Sequence, residues 1–330
     1  MRMDFIHYIG LCYSGNIEIV KLLIYYANRN NRILKLNEKD ENGMNPILWA
    51  CCENNIEVIR LLVEYADKNN IILDLNERYE NGNYPLYCAC HENNNELFKL
   101  LIDYATNNNI IFKLNLNMKI ENGNYPLLIA CCNSNVYMVQ SLMNFANSNK
   151  IILELNENNK NGFYPLYWAC YENNIEIVQL LINYADQNDI VLTLNGQTKN
   201  GYYPLYWACC ENNIEIIELL IEYAKKNNIS LEFKESDYEN STDINRETIE
   251  VLKKYKKEQE LLLPSLVIAI NNFNAQEYDQ LDLKKNDLLI VTNWNCENKG
   301  WVYGYRKDHE EEKGMFPEVF IKRCKDENIG

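Results

Sequence analysis

NGYYPLYWACCENN (Asn200–Asn213) has four near-copies upstream: NGMNPILWACCENN from Asn42, NGNYPLYCACHENN from Asn81, NGNYPLLIACCNSN from Asn122 and NGFYPLYWACYENN from Asn161. Their glycines, Gly43, Gly82, Gly123, Gly162 and Gly201, recur every 39 residues, with a single step of 41. A fixed period in this range marks a solenoid, in which each unit is too small to bury its own apolar face and completes its core against a neighbour.

Within a unit, the Asn-Gly pair marks a turn. The proline three residues after the glycine suits the first turn of a helix, where its missing N–H is not needed. That short helix runs Pro-Leu-Tyr-Trp-Ala-Cys and stops near the Asn-Asn pair. A second helix follows, Ile56–Ala66, repeated as Ile175–Ala185 and Ile214–Ala224, with apolar residues on more than one stripe.

These units resemble ankyrin repeats. The family pattern D-x-x-G-x-T-P-L-H-x-A, followed by I-V-x-L-L-L and a finger opening with V-N, is matched by Gly201, Pro204, Leu205, Ala208, Ile216, Ile217, Leu219, Leu220 and Ile221. The V-N pair corresponds to Leu75-Asn76, Leu155-Asn156 and Leu194-Asn195. Tyr-Pro-Leu-Tyr replaces T-P-L-H in the later units, so the family's Thr/His hydrogen bonding is not expected there. Units exceed the ~33 residues of the family, with extra residues before the finger, as at Lys68–Leu73. In the third repeat two more are expected around Leu116–Ile120. Phe5–Asn37 reads as a degenerate first unit, Thr248–Tyr255 as a last helix whose outer face has become Lys253 and Lys254, and 235–245 as a polar loop. The solenoid is expected over 1–262.

After Pro264 the texture changes to short strand-like runs, Leu266–Ile270, Leu288–Thr292 and Gly300–Tyr305, and five strands in so short a span predict a small all-β barrel. Residues 263–330 resemble a Src-homology-3 (SH3) domain. The family's A-L-Y-D-Y reads Ala269–Phe273, its K-K-G-D reads Lys284–Asp287, its W-W reads Trp301-Val302, and its G-x-F-P-x-x-Y reads Gly314–Phe320, with a longer insertion at Asp308–Lys313. The resemblance implies an aromatic groove for a proline-rich peptide in the polyproline II conformation, formed by Phe273, Trp301, Pro317 and Phe320. Two changes stand in it: Asn271 replaces the first Tyr, and Gln280 replaces the acid that favours a basic ligand residue, with Glu277 and Asp279 nearby. A barrel that has kept these aromatics only as core is the alternative.

In the solenoid, the resemblance places variable partner-binding positions after the turn glycine (Met44, Asn83, Asn124, Phe163, Tyr202) and at the end of the first helix (Cys52/Glu53, His91/Glu92, Cys132/Asn133, Tyr171/Glu172, Cys210/Glu211), along one concave strip. Exposed aromatics amid recurring Glu would suit a basic peptide. A solubilising stripe copied by duplication is the competing reading.

Composition bounds the rest. A net charge of −15, most of it before residue 264, argues against nucleic acid, whose binding needs clustered Lys and Arg. No run approaches the ~18 apolar residues of a membrane span, and the start carries Asp4 and no signal-like segment, so a cytoplasmic setting is expected. The bias toward Asn, Ile, Tyr and Lys reads as codon usage without functional meaning. Twelve cysteines invite a metal or disulfide reading, yet Cys51, Cys90, Cys131, Cys170 and Cys209 share one repeat position after an Ala, no C-x-x-C occurs, and the histidines are only His7, His91 and His309. Reduced structural thiols are therefore expected, with no metal and no cofactor. No phosphate loop, dinucleotide, metalloprotease or nucleophile-elbow motif is present, so no enzyme is expected. The functional expectation is an intracellular adaptor with two protein-binding modules. The alternative is a structural or self-associating solenoid whose barrel has lost its ligand.

Overall fold

The computed structural model describes residues 16–110, 114–233, 244–262, 265–269, 271–277, 279–293 and 301–323. Phe5, His7 and the rest of the expected first unit before residue 16, together with 235–243 of the expected polar loop, lie outside them. The chain divides into two compact units, Met1–Asp243 and Ile244–Gly330.

Among the described residues of the first unit, five seven-residue helices alternate with thirteen-residue ones. The short helices are α2 (Pro46–Cys52), α4 (Pro85–His91), α6 (Pro126–Cys132), α8 (Pro165–Tyr171) and α10 (Pro204–Cys210). The long ones are α1 (Ile17–Arg29), α3 (Ile56–Lys68), α5 (Asn95–Asn107), α7 (Val136–Ser148), α9 (Ile175–Gln187) and α11 (Ile214–Lys226). Short helices stack on short helices and long on long, giving two layers. Each proline takes the first helical turn, as the sequence requires. Between the layers, Ala50, Cys51, Ile59, Leu86, Cys90, Leu97, Leu127, Ile177, Leu181 and Ile216 are fully or almost fully buried.

Asparagine turns out to be structural rather than compositional noise. The first residue of each Asn-Asn pair, Asn54, Asn93, Asn173 and Asn212, with Ser134 in the third copy, has φ between +52° and +54°, a region Asn tolerates better than most residues. The second is the N-cap of the long helix: Asn55, Asn94, Asn135, Asn174 and Asn213 accept from the N–H groups of Val58, Leu97, Met138, Ile177 and Ile216. The cap amide also reaches back one repeat, since Asn94, Asn135 and Asn213 donate to the side-chain oxygens of Asn54, Asn93 and Asn173 at 2.6 Å. At the far end of the long helix, Asn69, Asn108, Asn188 and Asn227 donate to the carbonyls of Tyr65, Tyr104, Tyr184 and Tyr223. The turn glycine is needed for two reasons: Gly162 has φ +86°, and a Cβ there would lie 2.9 Å from the Thr198 Cα of the next repeat.

Tyrosine replaces the family's Thr before the proline and does a different job. Tyr84, Tyr125 and Tyr164 make no cap bond. Their hydroxyls cross to the following finger and donate to the carbonyls of Met118, Glu157 and Gly196 at 2.7, 2.9 and 3.0 Å. A second row comes from the long helices, where the hydroxyls of Tyr65, Tyr104, Tyr184 and Tyr223 accept from the N–H groups of Leu34, Leu73, Leu153 and Leu192. The finger asparagines form a third row: Asn117, Asn156 and Asn195 donate to the carbonyls of Ile152, Val191 and Ser230 and accept from Glu154, Thr193 and Glu232. Asn117 stands in this row in register, so the two extra residues of the third repeat precede Leu116 instead of occupying Leu116–Ile120.

The second unit begins with α12 (Arg246–Leu262), longer than the expected Thr248–Tyr255. It packs on a strand of the barrel, and the compact units therefore part at 243/244, ahead of the expected limit at 262. Lys253 and Lys254 are exposed, while Leu252 and Tyr255 are buried. The strands are β1 (Ser265–Ala269), β2 (Leu288–Asn293), β3 (Trp301–Arg306), β4 (His309–Pro317) and β5 (Ile321–Arg323). They form an antiparallel sheet in the order β4-β3-β2-β1-β5. Alternate residues point inward, and Val267, Ala269, Leu281, Leu283, Leu289, Val291, Val302 and Phe316 make the core. The Asp308–Lys313 insertion lengthens the β3–β4 hairpin into an exposed arm.

Two outcomes are expected. Tyr84→Phe leaves the Met118 carbonyl without its donor and lowers unfolding free energy by about 1–3 kcal/mol, read by urea denaturation. Burial raises the thiols of Cys90, Cys131 and Cys170 and the phenols of Tyr84, Tyr125 and Tyr164, and pushes Cys132 up to about 11. Raised acids hold their protons more tightly in the folded chain, so their contribution is complete below the unfolded thiol range and is lost as pH rises. The urea midpoint should be flat near neutrality and fall steadily above about pH 9.

Candidate functional site

Two surfaces gather the residues expected to bind partners. On the short-helix layer, the fourth and fifth repeats carry a continuous aromatic cluster. Phe163 lies 4.8 Å from Trp168, Tyr171 meets Trp207 edge-on at 4.6 Å across the repeat boundary, and Tyr202 lies 5.3 Å from Trp207. These separations are those of interacting rings, and the cluster holds itself in place before any partner arrives. Tyr171 remains 41% and Tyr202 36% exposed, whereas Phe163 is half-buried. In the first unit copy Trp49 donates to Asp40 at 2.8 Å. Its counterpart Trp168 has Asn159 where Asp40 stood, and its indole N–H has no acceptor among the described residues.

The acidic positions follow the same strip. Glu53, Glu92, Glu172 and Glu211 are exposed, and partial burial raises the Glu172 carboxyl. His91 is exposed, lies 5.9 Å from the Tyr87 ring and contacts Glu92 at 2.9 Å. Other expected strip positions are engaged internally. Met44 is 1% exposed and belongs to the core. Asn124 accepts from Asn159, and Asn133 donates to the Cys90 carbonyl. Along the strip, the exposed rings Tyr171 and Tyr202 lie in the fourth and fifth repeats, while exposed acids recur in the first, second, fourth and fifth.

In the barrel, Phe273, Trp301, Pro317 and Phe320 are all half-buried and lie together. Phe273 is 5.7 Å from Trp301, edge-on, and 5.5 Å from Phe320; Trp301 pairs with Pro317 across β3 and β4. Only Phe273 and Phe320 of the four also pack against the buried core. The loop between β1 and β2 is pinned from below by the backbone pair Phe273 and Leu283 and by the Met315 N–H donating to Asp279 at 2.8 Å. Gln280, at the position of the missing acid, accepts from the Gln276 N–H at 2.8 Å. Its amide therefore shapes the loop. Glu277 is exposed, and Asp279 is half-buried with one enclosed carboxylate oxygen lacking a donor among the described residues. Loop shaping by Gln280 was not legible in sequence, because its partner is a backbone N–H set by the loop's own conformation.

A two-layer helical solenoid with hairpin fingers, joined in one chain to a five-stranded antiparallel barrel, defines an interaction-module protein. Family comparison agrees: ankyrin repeats match at 11–72, 70–152, 104–190 and 146–231, and a variant SH3 domain matches at 269–322. The chain belongs to the ankyrin-repeat family and carries an SH3 domain behind its repeats. Among solved structures, it is similar to the ankyrin repeat domain of Bcl-3, a member of the IkappaB family, with a TM-score of 0.50 and 19% identity over 74% of this chain and 96% of that one. An ankyrin repeat domain from Acinetobacter baumannii gives a TM-score of 0.49 and 19% identity over 66% of this chain and 96% of that one. A curated relative, BEM1-interacting protein 1 of Saccharomyces cerevisiae, is 37% identical over 68 residues, which is 19% of this chain and 7% of the relative.

Removal of the ring that roofs Trp207 should be visible directly. Tyr171→Ala is expected to red-shift the tryptophan emission of the full chain, while Tyr25→Ala on exposed α1 leaves it unchanged.

Proposed function

We propose that the protein is a non-catalytic adaptor of the cytoplasm that holds two protein partners at once. The observation that carries this reading is the barrel cluster of Phe273, Trp301, Pro317 and Phe320, in which Trp301 and Pro317 stay half-exposed outside the buried core. A row of rings beside a proline suits the ridged face of a polyproline II peptide, whose extended form is present before binding and loses little entropy on docking. Asp279 and exposed Glu277 border the same loop and favour a ligand with a basic flank. An exposed ion pair there contributes only about 0–1 kcal/mol, so the aromatic row sets affinity and the acids set orientation.

For the solenoid, the exposed rings of Tyr171 and Tyr202 beside Glu172 and Glu211 suit a basic peptide segment. Rings of this kind supply much of the energy at interfaces, and rim charges steer association. The net charge of −15 favours such a partner and disfavours nucleic acid. The similar yeast protein bears a name that describes interaction with another protein, in keeping with this role. Two modest sites in one chain raise the effective concentration of one partner near the other without a new contact.

Selection of the full chain against a random proline-rich peptide library tests the reading. It should yield a PxxP consensus that Trp301→Ala weakens at least tenfold, about 1.4 kcal/mol. Equal enrichment by both forms, or none by either, would remove the groove from the account.

A further inference from the structure

The boundary between the first two of the five near-copies carries a juxtaposition that no other boundary among the described residues repeats. Tyr171 and Trp207 meet where the end of one short helix faces the middle of the next. The equivalent residues at the first boundary are Cys52 at the end of α2 and Cys88 in α4, and their Sγ atoms are 2.9 Å apart. By the repeat register the residues corresponding to Cys88 are Trp49, Ile129, Trp168 and Trp207, so Cys132, at the Cys52 position of the third repeat, is set against Trp168 and not against a thiol. Both are free thiols; Cys52 is half-exposed and Cys88 buried.

We propose that Cys52 and Cys88 are a reversible redox pair that closes to a disulfide under peroxide and ties α2 to α4 on the short-helix layer. Closing to the ~2.05 Å of a disulfide asks the sulfurs to approach by less than about 1 Å. Solvent access assigns the order of events. The Cys52 thiolate attacks hydrogen peroxide and takes one oxygen to give the sulfenic acid, releasing hydroxide. The Cys88 sulfur then attacks the Cys52 sulfur, the S–O bond breaks, and the departing hydroxide leaves as water with the proton from Cys88. Two thiols lose two electrons and two protons, and one peroxide becomes two waters. The hydrogen bond with Cys52, together with burial, holds the Cys88 proton, which keeps Cys88 in the resolving role. A dithiol reductant restores both thiols by exchange through a mixed disulfide.

Peptide mapping of the full chain under non-reducing conditions, before and after limited hydrogen peroxide, tests this. The expected result is a peptide linking Cys52 to Cys88, a loss of two titratable thiols, and full recovery with dithiothreitol. Cys52→Ser should abolish the link and the thiol loss together, while Cys132→Ser should leave both unchanged. Oxidised wild type should also melt at a higher temperature than reduced, because the link closes a loop in the unfolded chain, and that rise should vanish in Cys88→Ala. Sulfinic acid accumulating at Cys52 without a link, pairing of either residue with another cysteine, or no loss of thiols at all would overturn the proposal.

Discussion

Hydrogen bonds that leave one repeat and end in the next are the constraint on which the solenoid rests. A unit of two helices and a finger exposes backbone donors and acceptors at its edge, and these must find partners when the neighbour stacks and excludes water. Tyr84, Tyr125 and Tyr164 satisfy finger carbonyls, Tyr65, Tyr104, Tyr184 and Tyr223 satisfy finger N–H groups, and Asn117, Asn156 and Asn195 satisfy both kinds at once. Apolar burial supplies the drive, but these bonds fix the register of one repeat on the next. The same bonds explain how a chain so rich in Asn and Tyr satisfies finger donors and acceptors at its joints.

Where the third repeat departs from the pattern, the departures coincide. Its finger is two residues longer, Asn115 reaches Asn76 only at 3.5 Å, and Phe145 stands where the other long helices carry Tyr. A phenyl ring offers no hydroxyl to the finger N–H, so one row of the inter-repeat bonding is interrupted at the boundary where the finger geometry also changes. The aromatic strip forms beyond this boundary, in the fourth and fifth repeats. Regular inter-repeat bonding resumes there through Tyr164, Tyr184, Tyr223, Asn156 and Asn195, so the row of partly exposed rings stands on a rigid support, which lowers the ordering cost of any contact it makes.

The period of the glycines, the prolines at helix starts and the A-C positions made the solenoid legible in the sequence, because each reports a local rule. Barrel strands were legible for the same reason, through alternation and the G-x-F-P segment. The function of Asn was missed, since a cap, a left-handed residue and an inter-repeat donor look identical in composition and separate only by partner. Position after the turn glycine suggested a recognition residue at Met44, yet Met44 is core, because solvent access there depends on what the neighbouring repeat places over it. Gln280 read as a lost acid, and its loop-shaping bond to Gln276 depends on a backbone path that no spacing rule encodes. Residues whose role depends on a neighbour in space were the ones the sequence left unread.

The adaptor account stands on the barrel groove being a separate site from the aromatic strip, and the indole N–H resonances of the full chain report on both in one spectrum. Titration of a proline-rich peptide into labelled protein should move the Trp301 resonance while those of Trp49, Trp168 and Trp207 stay in place. Movement of Trp168 or Trp207 with Trp301 unmoved would put the peptide on the solenoid and contradict the division of labour between the two modules.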